Sequence, residues 1–130
     1  MNEMDIPSDV RSVVSALTDF ERRLESLIDE ISGKRYFSPP ERERLREIIT
    51  LLKADIKAAA KRMKINDDRL PQTDIERCYF EPALRSASAN FTVATNSNPI
   101  TSNWVACLYG VKIDISHPLF NLKQQYPGID

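Results

Sequence analysis

The stretch "SDVRSVVSALTDFERRLESLIDEISG", residues 8 to 33, has the clearest periodicity in the chain. Its apolar residues recur at alternating spacings of three and four: Val10, Val13, Leu17, Phe20, Leu24, Leu27 and Ile31. Such a seven-residue repeat is typical of a helix that packs along a seam against another helix. Ser8 suits the N-cap, and Gly33 suits a left-handed C-terminal cap. The pattern predicts a first helix over residues 8 to 32.

A second helix is predicted from "SPPE", residues 38 to 41. Ser38 stands three residues before Glu41, which is a capping box, and Pro39 takes the first helical position, where its missing N–H costs nothing. Apolar residues then repeat at Leu45, Ile49, Leu52, Ile56, Ala59 and Met63. We expect a helix from 39 to 65 rather than a polyproline ligand, because "SPPE" lacks P-x-x-P spacing.

Two amphipathic helices joined by about six residues predict a long antiparallel hairpin. One flank of helix 2 collects six cations: Arg42, Arg46, Lys53, Lys57, Lys61 and Lys64. The equivalent flank of helix 1 carries Glu21, Glu25 and Asp29. Because antiparallel neighbours bring like flanks together, we expect acid to face base, with Glu21 near Lys53 on one side and Arg23 near Asp55 on the other.

The second half of the chain changes in composition, and residues 86 to 103 carry no charge. Thr73, three residues before Glu76, predicts the start of a third helix, which Pro82 should kink or divide. Residues 96 to 99 are typical of a turn. The tail, residues 117 to 130, is turn-rich, and we expect it either to be poorly ordered or to continue into a longer protein.

Two short segments favour a small two-stranded β element. "VKIDIS", residues 111 to 116, alternates between apolar and polar residues, and "FTVAT", residues 91 to 95, is a weaker second strand. "NWVACLYG", residues 103 to 110, fits either a short helix that stops at Gly110 or a buried strand. The expected fold class is therefore mainly α: a long antiparallel helical hairpin packed with shorter helices and this possible β element.

The length, hydrophobicity and charge of the chain limit its possible domain organisation and location. The 130 residues suit a single domain, with residues 8–65 as the hairpin and 66–130 as a smaller α or α+β half. No apolar run approaches the ~20 residues of a membrane span, and the acidic N-terminus is unlike a secretory signal, so a cytoplasmic location is expected. The net charge of −1 hides an excess of five acids in residues 1–33 and of five bases in 34–69.

Candidates for chemistry are few. His117 is the one histidine, and Cys78 and Cys107 are the two cysteines. Their spacing fits no zinc pattern, and three glycines cannot supply a phosphate loop, so no catalytic residue, metal or cofactor is expected. One alternative is an enzyme in which a cysteine acts as nucleophile with His117 as base.

A related alternative is a small helical bacterial ribonuclease. The predicted shape is similar to that of HEPN-type ribonucleases, which use a long helix pair with shorter helices behind it. Their active site is an Arg and a His separated by about four to six residues. In this chain the nearest arginine before His117 is Arg85, so the motif is missing.

The function that these patterns favour is a non-enzymatic protein–protein interaction module of regulatory, adaptor or inhibitor type. We expect the partner to be a protein, either a second copy or another chain, and expect no membrane. Val14, Ile28 and Ile48 lie just off the seams and are predicted to line the self-association surface. A nucleic-acid-binding helical protein that uses Lys57, Lys61 and Lys64 is the alternative.

Overall fold

The computed structural model describes residues 6–34, 36–63, 74–96 and 102–129. They form five helices: α1 (Ser8–Ile31), α2 (Pro39–Arg62), α3 (Asp74–Tyr79), α4 (Glu81–Asn96) and α5 (Ser102–Gln125). The described ranges contain no strand. The mainly α class is therefore confirmed, and the small β element is not supported.

The ends of α1 follow the predicted signals with one shift. Pro7 occupies the N-cap position, so Ser8 is the first helical residue, and no side chain caps the helix. At the other end, the Ser32 N–H donates to the Ile28 carbonyl at 2.8 Å. Gly33 then adopts a φ of +84°, a conformation that glycine reaches without a Cβ clash. Gly33 ends α1, as predicted.

The capping box of α2 is confirmed. The Glu41 N–H donates to Ser38 Oγ at 3.3 Å, and the Ser38 N–H donates to Glu41 Oε1 at 3.1 Å. The Lys34 ammonium also donates to the Glu41 carboxylate. The Lys34 contact, the Ser38 backbone N–H and the Ser38 hydroxyl together lower the pKa of Glu41 from 4.5 to about 2, because all three favour the charged carboxylate.

The four long helices form a bundle. The most extensive contacts join α1 to α5, α5 to α4 and α4 to α2, whereas α1 and α2 approach each other over only a few residues. Lys112 pairs with Glu25 at 3.4 Å, and Ser116 donates to Glu21 at 2.5 Å. A step of four residues forward along α5 is thus a step of four residues back along α1. These two helices run antiparallel.

The hairpin prediction needs a correction. Helices α1 and α2 are antiparallel neighbours, since Arg44 pairs with Glu30 near one end and Arg23 pairs with Asp55 at 2.9 Å further along. However, α1 packs chiefly against α5 and α2 chiefly against α4. A heptad repeat shows that one face of a helix is buried, but the repeat does not identify the helix that buries it.

One hydrophobic core unites all four long helices. Its largest fully buried side chains are Trp104, Phe80 and Phe91, and the Phe20 and Phe80 rings pack with centroids 6.4 Å apart. Burial of such side chains supplies about 1.5 to 3 kcal/mol each, which makes the second half a main contributor to the core. Among the described helices, none has both the length and the apolar character needed to cross a membrane.

The predicted effect of Pro82 is confirmed. A short helix, α3, ends at Tyr79, a turn follows at Phe80, and Pro82 lies in the first turn of α4. Proline is tolerated there because the first helical N–H groups have no intrahelical acceptor. The predicted cap at Thr73 lies outside the described residues, as does most of the predicted turn at 96 to 99.

Residues 103 to 110 are helical, which was one of the two open alternatives, but helix α5 continues through the predicted stop and the predicted strand. The "VKIDIS" segment is helical: Val111 and Ile115 are fully buried, whereas Ile113 is 51% exposed. The alternation arose because α5 carries apolar residues on two faces. Gly110 does not stop the helix, and Pro118 is inside it. The tail is not loose either, since Leu119, Leu122 and Ile129 are buried in the core.

Candidate functional site

Beside exposed Asp114 and Lys123, α5 has one row of exposed residues without Asp, Glu, Lys or Arg. We call it the outer face of α5 and define it by six exposed residues: Ala106, Tyr109, Ile113, His117, Phe120 and Gln124. Spacings of three and four place these residues along one side of the helix. The opposite side carries buried Trp104, Leu108, Val111, Ile115, Leu119 and Leu122. The outer face is thus uncharged over five turns of helix.

Large apolar side chains are concentrated on this face. Tyr109 is 46% exposed, Ile113 51% and Phe120 61%. The other large apolar side chains exposed in the described residues are Tyr36, before α2, and Leu51, on α2. Single exposed apolar residues are ordinary on soluble proteins, but a contiguous apolar patch marks an interaction site. The outer face of α5 is the one such row in the described structure.

Polar groups border the outer face on both sides: Lys112 and Ser116 lie on the α1 side, and exposed Asp114 lies on the other. Lys112 pairs with Glu25, and its ammonium also lies 5.7 Å from the centroid of the Tyr109 ring. Ser116 is turned toward Glu21. These contacts hold the polar side chains at the α1 edge and leave the middle of the face apolar.

The predicted self-association surface is not on the outside of the bundle. Val14 is 1% exposed and Ile28 is 3% exposed, while Ile48 is half-buried. We assigned these side chains to a contact with a second copy because the sequence patterns did not predict a fourth long helix. Helix α5 packs on α1, so the chain itself buries Val14 and Ile28.

The basic flank of α2 does not face the acids of α1. Glu21 and Glu25 contact α5, so the predicted approach of Glu21 to Lys53 is wrong. The predicted pairing of Arg23 with Asp55 is confirmed at 2.9 Å. A bundle of four helices separates the two flanks, because α1 turns its acids toward α5.

The basic flank instead borders α4. Lys57 and Lys61 are both exposed, whereas Lys64 lies outside the described residues. Lys57 lines a cleft of about 660 Å³ between α2 and α4, together with Leu84, Arg85, Ser88 and Ala89. We call this cleft the α2/α4 groove. Its floor is Leu84, which is 7% exposed, so cations stand on either side of an apolar floor.

A second, wider cleft of about 1050 Å³ lies between the end of α2 and the beginning of α1. Its arginines are largely engaged with carboxylates in the same cleft. Asp19 binds Arg22 at 2.8 Å and Arg23 at 3.6 Å, and Arg23 lies 5.9 Å from the Phe20 ring centroid while it contacts Asp55. These contacts join α1 to α2, so a structural role accounts for the charged residues of this cleft.

Cys107 and His117 cannot act as nucleophile and base together. Both belong to α5, where ten residues correspond to about 15 Å along the axis. Cys78 precedes Tyr79, whose hydroxyl accepts a hydrogen bond from Gln125, eight residues and about 12 Å beyond His117. His117 is exposed on the outer face of α5. The structure therefore brings neither cysteine to the histidine.

The described residues contain no group of three or more His, Cys, Asp or Glu side chains placed to hold a metal ion. Comparison with known proteins adds no assignment: no family model, no curated protein and no solved structure matches the chain. The outer face of α5 and the α2/α4 groove are thus the candidate sites.

The outer face of α5 was not predicted from the sequence, although the spacing of its residues is visible there. Residues 106, 109, 113, 117, 120 and 124 repeat at three and four, as do the core residues of the same helix. Two interleaved apolar rows weaken the amphipathic contrast that identifies a helix. Gly110 and Pro118 also resemble helix breaks. Together these features concealed a long helix and its exposed row.

Proposed function

We propose that this chain is a non-enzymatic protein–protein interaction module that self-associates through the outer face of α5. The observation that carries the proposal is the exposure of Tyr109, Ile113 and Phe120 in one uncharged row. Aromatic residues are enriched and charged residues are depleted at the centres of protein interfaces. A cytoplasmic location stays the expectation that accompanies this role.

A second copy is the partner that the spacing of the face favours. If two α5 helices cross antiparallel with the two-fold axis at residue 115, each Tyr109 lies within one residue of the level of Phe120 in the other copy. Ile113 then lies opposite His117, and Ala106 lies opposite Gln124. A two-fold interface requires such self-complementarity, because each patch must fit itself. No two identical charges oppose each other within the row, whereas exposed Asp114 lies beside the row near the axis in both copies.

The size of the face predicts a moderate affinity. From Ala106 to Gln124 the row is about 27 Å long, and it is one helix wide. A contact of this size falls at the small end of specific interfaces, which begin near 1,200 Å² of total buried surface. We therefore expect a dissociation constant in the micromolar range rather than an obligate dimer.

Sedimentation equilibrium across low to high micromolar concentrations tests the proposal. We expect the wild-type chain to pass from monomer to dimer, and Ile113→Glu to remain monomeric because a carboxylate would be buried against the partner. Leu51→Glu is the matched control, since Leu51 is 58% exposed on α2 and outside the row. It should dimerise like the wild type. A wild-type monomer at high micromolar concentration, or equal loss in both variants, contradicts the proposal.

A further inference from the structure

Among the described residues, no acid of α4 pairs with Lys57 or Lys61 of the basic flank. We infer that the α2/α4 groove binds the phosphate backbone of duplex nucleic acid, without reading its sequence, through Lys57, Lys61 and Arg85. This site is independent of the proposed self-association. It uses a different face of the bundle and a different kind of partner.

The charges around the groove support an anionic ligand. Among the described residues, no carboxylate pairs with Lys57 or Lys61. Helix α4 has a single acid, Glu81, which already accepts hydrogen bonds from Arg85, one of them at 3.1 Å. On α2, Asp55 is engaged with Arg23 on the side that faces α1. The groove therefore keeps a local positive charge although the whole chain is nearly neutral.

The spacing of the cations suits a phosphate backbone. Lys57 and Lys61 are one turn apart, about 6 Å along α2. Phosphates of one strand rise about 3.4 Å per nucleotide along a duplex and also turn around its axis, so successive phosphates are further apart than this rise and lie within reach of two lysine side chains one helical turn apart. A strand that follows α2 can thus meet both lysines. Arg85 reaches the same cleft from α4; its Nε and Nη2 donate to Glu81, and its remaining N–H groups supply a third contact.

The lining favours the backbone of a duplex over other anionic partners. Proteins that hold single strands stack bases on aromatic side chains, and the described lining of the groove has none. Membrane-surface helices place large apolar residues beside their cations, whereas the residues that border Lys57 here are Ser88, Ala89 and a recessed Leu84. With about three phosphate contacts, binding should be weak and steeply dependent on salt.

The groove stays open in the proposed dimer. Helix α2 packs on α4 and α1, whereas α5 packs on α1 and α4, so α2 and α5 occupy opposite corners of the bundle. Contact through the outer face of α5 leaves Lys57 and Lys61 exposed in both copies. Loss of self-association and loss of nucleic-acid binding can therefore be measured separately.

Fluorescence anisotropy with a labelled mixed-sequence DNA duplex, titrated at several salt concentrations, tests the inference. For three contacts we expect affinity to fall about 40-fold between 50 and 200 mM salt. Lys57→Gln with Lys61→Gln should lower the slope of log K against log salt by about 2 and weaken binding at least tenfold at low salt. Lys57→Arg with Lys61→Arg should restore binding.

The matched control is Arg22→Gln with Lys123→Gln, which changes the net charge equally at exposed residues outside the groove. This variant should bind like the wild type. Equal weakening of the control and groove variants would assign binding to net charge and overturn the inference. Failure of the wild-type chain to bind the duplex at low micromolar protein in 50 mM salt would also overturn it.

Discussion

Helices α1 and α2 carry 20 charged residues among 48, whereas α4 and α5 carry 5 among 40. In the first pair, ion pairs such as Arg23–Asp55 and Arg44–Glu30 join the helices across their exposed edge. In the second pair, the exposed side of α5 shows Tyr109, Ile113 and Phe120. One half of the bundle is therefore densely charged, whereas the other half has few charges and one exposed apolar row.

This difference in charge between the two helix pairs indicates which surface is suited to bind a partner. Exposed ion pairs contribute only about 0 to 1 kcal/mol each, so the charges of α1 and α2 mainly select orientation and solvation. The charge-poor half also supplies Trp104 and Phe91 to the core. Helices α4 and α5 thus combine two roles: they complete the core that α1 and α2 cannot close alone, and they leave uncharged surface outside it.

The largest expected effect on stability comes from a substitution in the core that all four long helices share. Trp104→Ala removes a fully buried indole, and we expect it to cost about 3 to 5 kcal/mol of unfolding free energy. Urea unfolding followed by circular dichroism should show one cooperative transition at lower urea, with helical signal from both halves lost together. A residual transition in which part of the helical signal survives would show that α1 and α2 fold without α5.

The next largest effect concerns the affinity of the proposed contact through the outer face of α5. In the antiparallel dimer His117 lies opposite Ile113 of the other copy, so His117→Leu should tighten self-association about tenfold by adding apolar burial. Sedimentation equilibrium measures the change. Thr50→Leu, at an exposed residue of α2, is the control and should not alter self-association. An unchanged dissociation constant for His117→Leu would place the contact elsewhere.

A third effect concerns Gly110 in the interior of α5. A Cβ built on Gly110 would lie 3.5 Å from Asn90 Nδ2, which is ordinary van der Waals contact. Because glycine costs about 0.5 to 1 kcal/mol relative to alanine inside a helix, Gly110→Ala should stabilise the fold by about that amount. Thermal unfolding measures it. A destabilised variant would mean that α4 and α5 tolerate no added methyl group.

A smaller effect tests the charged half. A double-mutant cycle on Arg23→Ala and Asp55→Ala should give a coupling free energy of about 0.5 kcal/mol that shrinks as salt is raised. The side chains of Arg23 and Asp55 are 31% and 42% exposed, so solvent screens their attraction. A coupling free energy above about 2 kcal/mol that does not change with salt would contradict this expectation, because it would show that the ion pair stabilises the fold substantially.

The last effect is pH-dependent and local to the start of α2. The pKa of Glu41 is lowered from 4.5 to about 2 in the folded chain, so its contribution to stability is complete above pH 4.5 and is lost as pH falls toward 2. The stability difference between the wild type and Glu41→Gln should therefore be constant near neutral pH and shrink in that acid window. A difference that grows on acidification contradicts this assignment.

The parts that local rules determine were predictable from sequence. The capping box at Ser38 and Glu41, the stop at Gly33 and the break near Pro82 each depend on neighbours along the chain, and the structure has all three. The Arg23–Asp55 pair was also predictable, because it follows from the register of two adjacent antiparallel helices.

The parts that depend on distant packing were not predictable. The burial of Val14 and Ile28 depends on α5, which sequence patterns divided into a strand, a stop and a loose tail. The acids at Glu21 and Glu25 could have faced either neighbour of α1, and periodicity does not distinguish the two. The outer face of α5 was missed for the same reason: its residues were assigned to the wrong element.

Pulsed dipolar spectroscopy on the chain with both cysteines replaced by serine and a spin label at Gln124→Cys tests the proposed self-association most directly. In the antiparallel dimer Gln124 lies opposite Ala106 of the other copy, so the two labelled backbone positions should be about 27 Å apart along the helix axes. A parallel pair would place them about 8 to 10 Å apart, the distance between packed helices. We expect the longer distance, with no intermolecular signal in Ile113→Glu. A short distance, or no dipolar signal from the labelled chain at high micromolar concentration, contradicts it.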